Sequence, residues 1–160
     1  MTIVLSDANI FIDLYKIGWL EFLTELEFEV ATTDLVFEEL YEEQKEILEM
    51  LGVRIIGFDD VQSLYEGYRN LNSHALSIQD YSLVFVAGKN GYTLLTNDRK
   101  LRSFAKKEGL DVKGLLFVFD EILRCGLVER SAFTDIIEKL IELNPRIEKI
   151  LRQWQKENFQ

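Results

Sequence analysis

Residues 3–14 read Ile3-Val4-Leu5-Ser6-Asp7-Ala8-Asn9-Ile10-Phe11-Ile12-Asp13-Leu14. The short apolar run Ile3 to Ser6 reads as a buried strand, a helical pattern follows over Asn9 to Ile17, and Asp7 stands where one hands over to the other. The same order recurs at Tyr92-Thr93-Leu94-Leu95-Thr96-Asn97-Asp98, where a strand ends in an acid ahead of a basic helix. Buried β-runs alternating with helices argue for βαβ units and a parallel sheet. Asp7 and Asp98 then fall at the carboxyl ends of strands, the edge at which open α/β sheets bind ligands.

Between these anchors the alternation continues. Trp19 to Leu26 reads as helical after Gly18, and Phe28 to Ala31 as strand two. Thr32-Thr33-Asp34 supplies cap chemistry for a long helix to about Met50, which Gly52 ends. Val53 to Phe58 reads as strand three, and Asp59-Asp60 open a helical stretch through Leu71. Ser77 starts a helix to Ala87 that Gly88 to Gly91 stops. A basic helix runs from Arg99 to Glu108, Gly109 closes it, and Asp111 to Gly114 is a short fifth strand. The remainder is helical: Leu115 to Arg124, Ala132 to Leu143 and Arg146 to Lys156. The fold class expected is α/β, a central parallel sheet of about five strands flanked by helices on both faces.

Two further acids, Glu39 and Asp80, stand near helix starts. At 100° per residue Val36, Leu40, Ile47 and Leu51 share a face, with Phe37 and Leu48 extending it. Glu38, Glu42 and Glu49 point away, while Glu39 and Glu43 both lie on the flank. Periodicity leaves both open, and nearness to the helix start favours Glu39. The helix carrying Asp80 is apolar through Tyr81, Leu83, Val84, Phe85, Val86 and Ala87, so an acid in its first turn must be paired, capped or bound to a metal. Each acid has an ordinary reading as well. Asp7 and Asp98 serve as N-caps, and Ser77-Ile78-Gln79-Asp80 resembles a capping box with Asp in place of Glu. Gathered at one sheet edge, however, four carboxylates repel one another unless a cation sits among them. Hard oxygen donors with positions left to water suit magnesium or manganese. The pattern points to metal-dependent hydrolysis of phosphate esters.

Size and composition bound this reading. With 160 residues, 48% of them hydrophobic, and no Pro/Gly/Ser-rich divider, the chain fits one domain over residues 1–160, with 130–160 a C-terminal helical extension. Its longest apolar runs, such as Leu83 to Ala87, fall far below the roughly 18 residues needed to span a membrane. No basic segment precedes the first apolar run, and Cys125 is the only cysteine, which together predict a cytoplasmic protein without an internal disulfide. A net charge of −10 argues against a general nucleic-acid coat. A local basic track is nonetheless present, since Arg99, Lys100, Arg102, Lys106 and Lys107 follow directly on Asp98. Arg99, Lys100 and Arg102 are the candidates for holding a substrate backbone. His74 is the only histidine, which removes a two-histidine ribonuclease; with no Gly-x-Ser-x-Gly elbow, a serine hydrolase is equally unsupported. We read His74 as a loop residue. There is no P-loop and no Cys/His set for structural zinc. A receiver-like phosphoacceptor would need paired acids after strand one, where Asp7 stands single.

Asp7-Ala8-Asn9 with Ile10-Phe11-Ile12-Asp13-Leu14, Val36-Phe37-Glu38-Glu39-Leu40, Leu76-Ser77-Ile78-Gln79-Asp80 and Leu95-Thr96-Asn97-Asp98 with Leu101-Arg102 resemble, in order and spacing, the PIN domain. The later Asp111-Val112-Lys113-Gly114 and Gly126-Leu127-Val128 resemble its prokaryotic branch of VapC-type ribonucleases. The resemblance implies Asp7, Glu39, Asp80 and Asp98 as catalytic residues and ligands of Mg2+ or Mn2+. It implies Asn9 and Thr96 as residues orienting ligands or water, and its Val-x-x-Glu-Leu pattern selects Glu39 over Glu43. It further implies an endoribonuclease leaving a 5′ phosphate, an RNA substrate, and for that branch a toxin held by a small antitoxin-like protein, often as a homodimer. A PIN-like module that binds without cleaving is the alternative.

Overall fold

Strand β1 (Ile3–Ser6) is buried at Val4, Leu5 and Ser6 because strands pair on both its sides. In this computed structural model the described residues are 2–71 and 76–159; His74, and the loop reading given to it, lie outside them. Strands β2 (Glu29–Thr33), β3 (Arg54–Ile56), β4 (Thr93–Leu95) and β5 (Val112–Lys113) complete a five-stranded sheet in the order β3-β2-β1-β4-β5, every pair parallel. Val4 lies opposite Val30 on one side and Thr93 on the other. A strand buried this way needs apolar side chains on both faces, which is why β1 and β4 show no polar alternation.

The connections are helical. They comprise α1 (Ala8–Lys16), a 3₁₀ helix (Leu20–Glu25), α2 (Asp34–Phe37), α3 (Glu42–Met50), α4 (Val61–Arg69), α5 (Ile78–Asn90), α6 (Arg99–Lys107), α7 (Leu115–Arg124), α8 (Arg130–Leu143) and α9 (Glu148–Phe159). Among these helices α1 packs on α3, and α2 and α4 both pack on α5. The chain steps outward from β1 to β2 and β3, then returns to build β4 and β5 on the far side of β1. The strand order reverses between β1 and β4, so the two strands that end in Asp7 and Asp98 flank the topological switch point. This order also separates the fold from receiver domains, whose strands run 2-1-3-4-5.

Two expectations need correction. The helix read from Thr33 to Met50 is broken. Thr33 caps only the short α2 by accepting Val36 N–H, the chain turns through Glu38 to Leu40, and α3 begins afresh after Tyr41, whose N–H is taken by Gln44 Oε1 at 3.0 Å. Glu38/Glu42 and Glu39/Glu43 would stand one turn apart on a continuous helix, and like charges at that spacing oppose it. The break still buries Phe37, Leu40 and Leu48. Conversely, Gly88 does not stop α5, which runs on to Asn90 and ends at Gly91, whose φ of 71° is the left-handed helix stop that glycine adopts without penalty.

The C-terminal helices belong to the core. Phe133, Ile137 and Leu140 of α8 and Leu151 and Trp154 of α9 are buried in the same apolar cluster as Leu5 and Phe11. Trp19 and Phe133 meet edge to face at 5.0 Å between ring centres, and Trp154 Nε1 donates to Asp120 Oδ1 at 2.7 Å. Among the described residues no helix is long and apolar enough to cross a membrane.

Candidate active site

Asp7 is the best-held acid. As N-cap of α1 its Oδ1 accepts Ile10 N–H at 3.0 Å, while its Oδ2 accepts the Thr96 hydroxyl, and the side chain is only 4% exposed. The backbone completes the link between strands, since Asp7 N–H donates to Leu95 O at 3.1 Å. Burial pushes the Asp7 carboxyl up to a pKa of about 7. Its two hydrogen bonds resist that rise, and the nearby charges of Asp80 and Asp98 add to it.

Asp98 sits across the switch point, exposed, at the N-cap of α6. Its Oδ1 accepts Leu101 N–H at 2.8 Å, and its own N–H donates to Thr96 Oγ1 at 3.0 Å. One buried hydroxyl, Thr96, thus touches Asp7 with its proton and Asp98 with its oxygen. Asp80 comes from the first turn of α5, set there by Ser77, whose Oγ accepts Asp80 N–H at 3.0 Å. Burial raises its carboxyl, the Asp98 charge raises it further, and the Ser77 contact opposes them. Glu39 lies in the turn after α2, not on the helix flank first assigned to it. Its exposed carboxyl is raised by the hydration it loses and then by Asp80.

The four acids proposed from sequence lie near enough for charge to pass between them: Asp80 and Asp98 both raise Asp7, Asp98 raises Asp80, and Asp80 raises Glu39. Asp80 is their hub, acting on Asp7 and Glu39 and acted on by Asp98. The donor set fits a hard divalent cation in chemistry: oxygen atoms only, and charges that oppose one another. Each carboxylate offers about four lone pairs, so the hydrogen bonds to Asp7 and Asp98 leave acceptor capacity unused. Among the described residues, however, no three His, Cys, Asp or Glu side chains form a ready group for a metal ion. Side chains would have to close in to coordinate one.

The remaining candidates divide. Thr96 is fully buried between two acids, and Asn9 is exposed in the first turn of α1. Arg99 and Lys100 are exposed at the start of α6, free to meet a solvent-borne phosphate. Arg102 is half-buried and has structural work, its Nη1 donating to Thr96 O at 2.7 Å. Sequence reasoning missed the anchoring role of Asn97. Its Oδ1 accepts Leu115 N–H at 3.1 Å and so caps α7, whose own N-cap Gly114 has no side chain to do it. It also missed Ser82, whose only signal was a hydroxyl among the apolar residues of α5.

The PIN domain family model matches residues 3–156. Among solved structures, PAE2754 from Pyrobaculum aerophilum is similar with a TM-score of 0.52 and 15% identity, over 79% of this chain and 98% of that one. A PilT N-terminus domain protein from Sulfolobus solfataricus P2 is similar with a TM-score of 0.46 and 11% identity, over 71% of this chain and 87% of that one. Identities this low speak to fold alone. No curated protein matches the sequence.

Proposed function

This chain belongs to the PIN domain family, and from that premise we propose that it is a magnesium- or manganese-dependent ribonuclease hydrolysing phosphodiester bonds of RNA. The observation that carries the reading is the buried Asp7 carboxylate at the switch point, held by Ile10 N–H and the Thr96 hydroxyl, with that same hydroxyl accepting Asp98 N–H and with Asp80 near enough to raise Asp7 further. A buried carboxyl with other acids beside it, as Asp7 has, is a stability burden of the kind that functional sites carry.

Asp7, Glu39, Asp80 and Asp98 would hold the ion. A divalent metal bound among them supplies a water of lowered pKa and positive charge set against the phosphate oxygens. Thr96 fixes the direction of the Asp7 carboxylate and, through Asp98 N–H, the start of α6. Arg99 and Lys100 would take the phosphates flanking the scissile bond. Hydrolysis would form a bond from the water oxygen to phosphorus and break the bond to the 3′ oxygen; the water gives up one proton and the departing 3′ oxygen gains one, leaving a 5′ phosphate and a 3′ hydroxyl.

A manganese and magnesium titration on labelled RNA, comparing wild type with Asp7→Asn, tests the proposal. Cleavage that depends on metal and vanishes in the variant is expected; equal cleavage by both, or none by wild type with either metal, overturns it. One observation favours a second reading, a PIN module that binds without cleaving: the acids are not grouped as a finished metal cage among the described residues. RNA bound by wild type but never cut would support that alternative. A toxin restrained by a small antitoxin-like protein is the cellular role we attach to the nuclease. Inducing the chain alone should then arrest growth and Asp7→Asn relieve the arrest; undisturbed growth alongside active enzyme counts against it.

A further inference from the structure

We infer that a buried pair of hydroxyls, Thr33 and Ser82, is a positioning device holding Glu39 and Asp80 at a fixed spacing, an inference that rests on the metal-site reading above. Both residues are fully buried, and their oxygens lie 2.7 Å apart although 49 positions separate them in sequence. Ser82 Oγ donates to Gln79 O at 2.6 Å, so its single proton is committed and the Thr33 hydroxyl donates across the gap. Gln79 O belongs to the same peptide unit as Asp80 N–H. On the other side Thr33 Oγ1 accepts Val36 N–H at 3.2 Å, and Val36 O accepts Glu39 N–H at 3.0 Å. Hydrogen bonds therefore run from the peptide entering Asp80, through Ser82 and Thr33, to Val36 N–H, and the backbone of Val36 carries the link on to its O, which accepts Glu39 N–H.

Each hydroxyl already has a local task. A serine in a helix commonly back-bonds three or four residues earlier, and a threonine ahead of a helix commonly caps it. Neither task requires the other residue. The link between them is what remains unexplained locally, and it joins α2, which leads into the turn of Glu39, to α5, which carries Asp80. It is the counterpart of Thr96, which joins Asp7 to Asp98. The device constrains backbone, so Thr33 and Ser82 act through Glu39 and Asp80 and touch no substrate.

Calorimetric titration of the metal-free protein with manganese chloride tests this without reference to turnover. Ser82→Ala should weaken manganese binding about 10-fold, the usual scale for residues that support metal ligands. Thr33→Ser keeps the hydroxyl and should bind as wild type. Thr33→Val combined with Ser82→Ala should weaken binding by less than the product of the two single losses, since the two changes share the Thr33–Ser82 link. Trp154→Phe removes the bond to Asp120 in the C-terminal layer and controls for general destabilisation; its affinity should be unchanged. Manganese bound equally by wild type and Ser82→Ala, yet lost in Asp98→Asn, removes the clamp and leaves the metal site standing. Equal weakening by Trp154→Phe and Ser82→Ala also overturns the clamp. A wild type that binds no manganese removes the metal site and the clamp together.

Discussion

Asp7→Asn should invert its effect on stability between acid and mildly alkaline solution. In the folded protein the Asp7 carboxyl titrates at about 7, against an ordinary value of 3.8. Below the ordinary value it is protonated folded or unfolded and contributes no pH dependence. As pH rises from there, the unfolded chain releases this proton first, so the folded state holds more protons and stability falls. The decline ends once pH passes about 7, leaving a penalty of roughly 4 kcal/mol on the ionised, metal-free protein. Asparagine cannot ionise and escapes that penalty. Its amide cannot accept from both Ile10 N–H and the Thr96 hydroxyl as the carboxylate does, a loss of about 1 kcal/mol. The variant should therefore be less stable by about 1 kcal/mol near pH 4 and more stable by about 2–3 kcal/mol near pH 8. Urea unfolding followed by circular dichroism, with chelator present, measures both. Adding manganese near pH 8 should restore the wild type by about 2.7 kcal/mol at a hundredfold excess over Kd and leave Asp7→Asn unmoved. A variant destabilised equally at both pH values would refute the account of Asp7, because the burial penalty would then be absent.

Three further substitutions separate chemistry from scaffold. Asp98→Asn keeps a good N-cap for α6, so its stability should stay within about 0.5 kcal/mol of wild type while metal-dependent cleavage of labelled RNA disappears; unchanged turnover would remove Asp98 from the site. Arg102→Ala frees Thr96 O as well as a positive charge, so manganese affinity and RNA affinity should both fall. A loss confined to RNA binding, measured by fluorescence anisotropy, would show that the bond to Thr96 has no effect on the site. Gly114→Ala would set a Cβ 2.3 Å from Asn97 Oδ1, the atom that caps α7. The overpacking should lower stability by about 1–3 kcal/mol in urea unfolding, and an unaltered midpoint would mean that the Asn97 side chain yields freely.

What the sequence made legible was whatever is decided within a few residues. Asp7 and Asp98 each follow a buried strand and cap the next helix, so composition alone put them at the carboxyl edge, and strand β1 and helix α7 have the bounds expected of them. Glu39 was proposed for a partly wrong reason. Helical periodicity assumed one helix through Glu39 and Glu43, whereas α2 ends after Phe37 and the acid sits in a turn. The competing influence was repulsion along the glutamate run together with Gln44 reaching back to Tyr41 N–H, a contact that periodicity does not register. Residues 130–160 read as a C-terminal helical extension of the one domain, and their Phe133 and Trp154 complete the aromatic layer begun by Trp19 and Phe119. The Thr33–Ser82 contact was beyond reach for the plainest reason: nothing near either residue mentions the other.

That long-range contact changes how the four acids relate. Asp7 and Asp98 are joined through Thr96, and the elements of Glu39 and Asp80 through Thr33 and Ser82, so the acids form two pairs, each tied by hydroxyl chemistry. Between the pairs the recorded interaction is charge, Asp80 acting on Asp7 and Asp98 acting on Asp80. Hydrogen bonds constrain the backbone that carries each pair, whereas like charges at longer range only hold the pairs apart. Under the metal-site proposal, an arriving divalent ion has one degree of freedom to act on, the gap between two pre-set pairs. On that argument the open arrangement of the acids is the expected resting form of a site whose halves are rigid and whose closure is electrostatic.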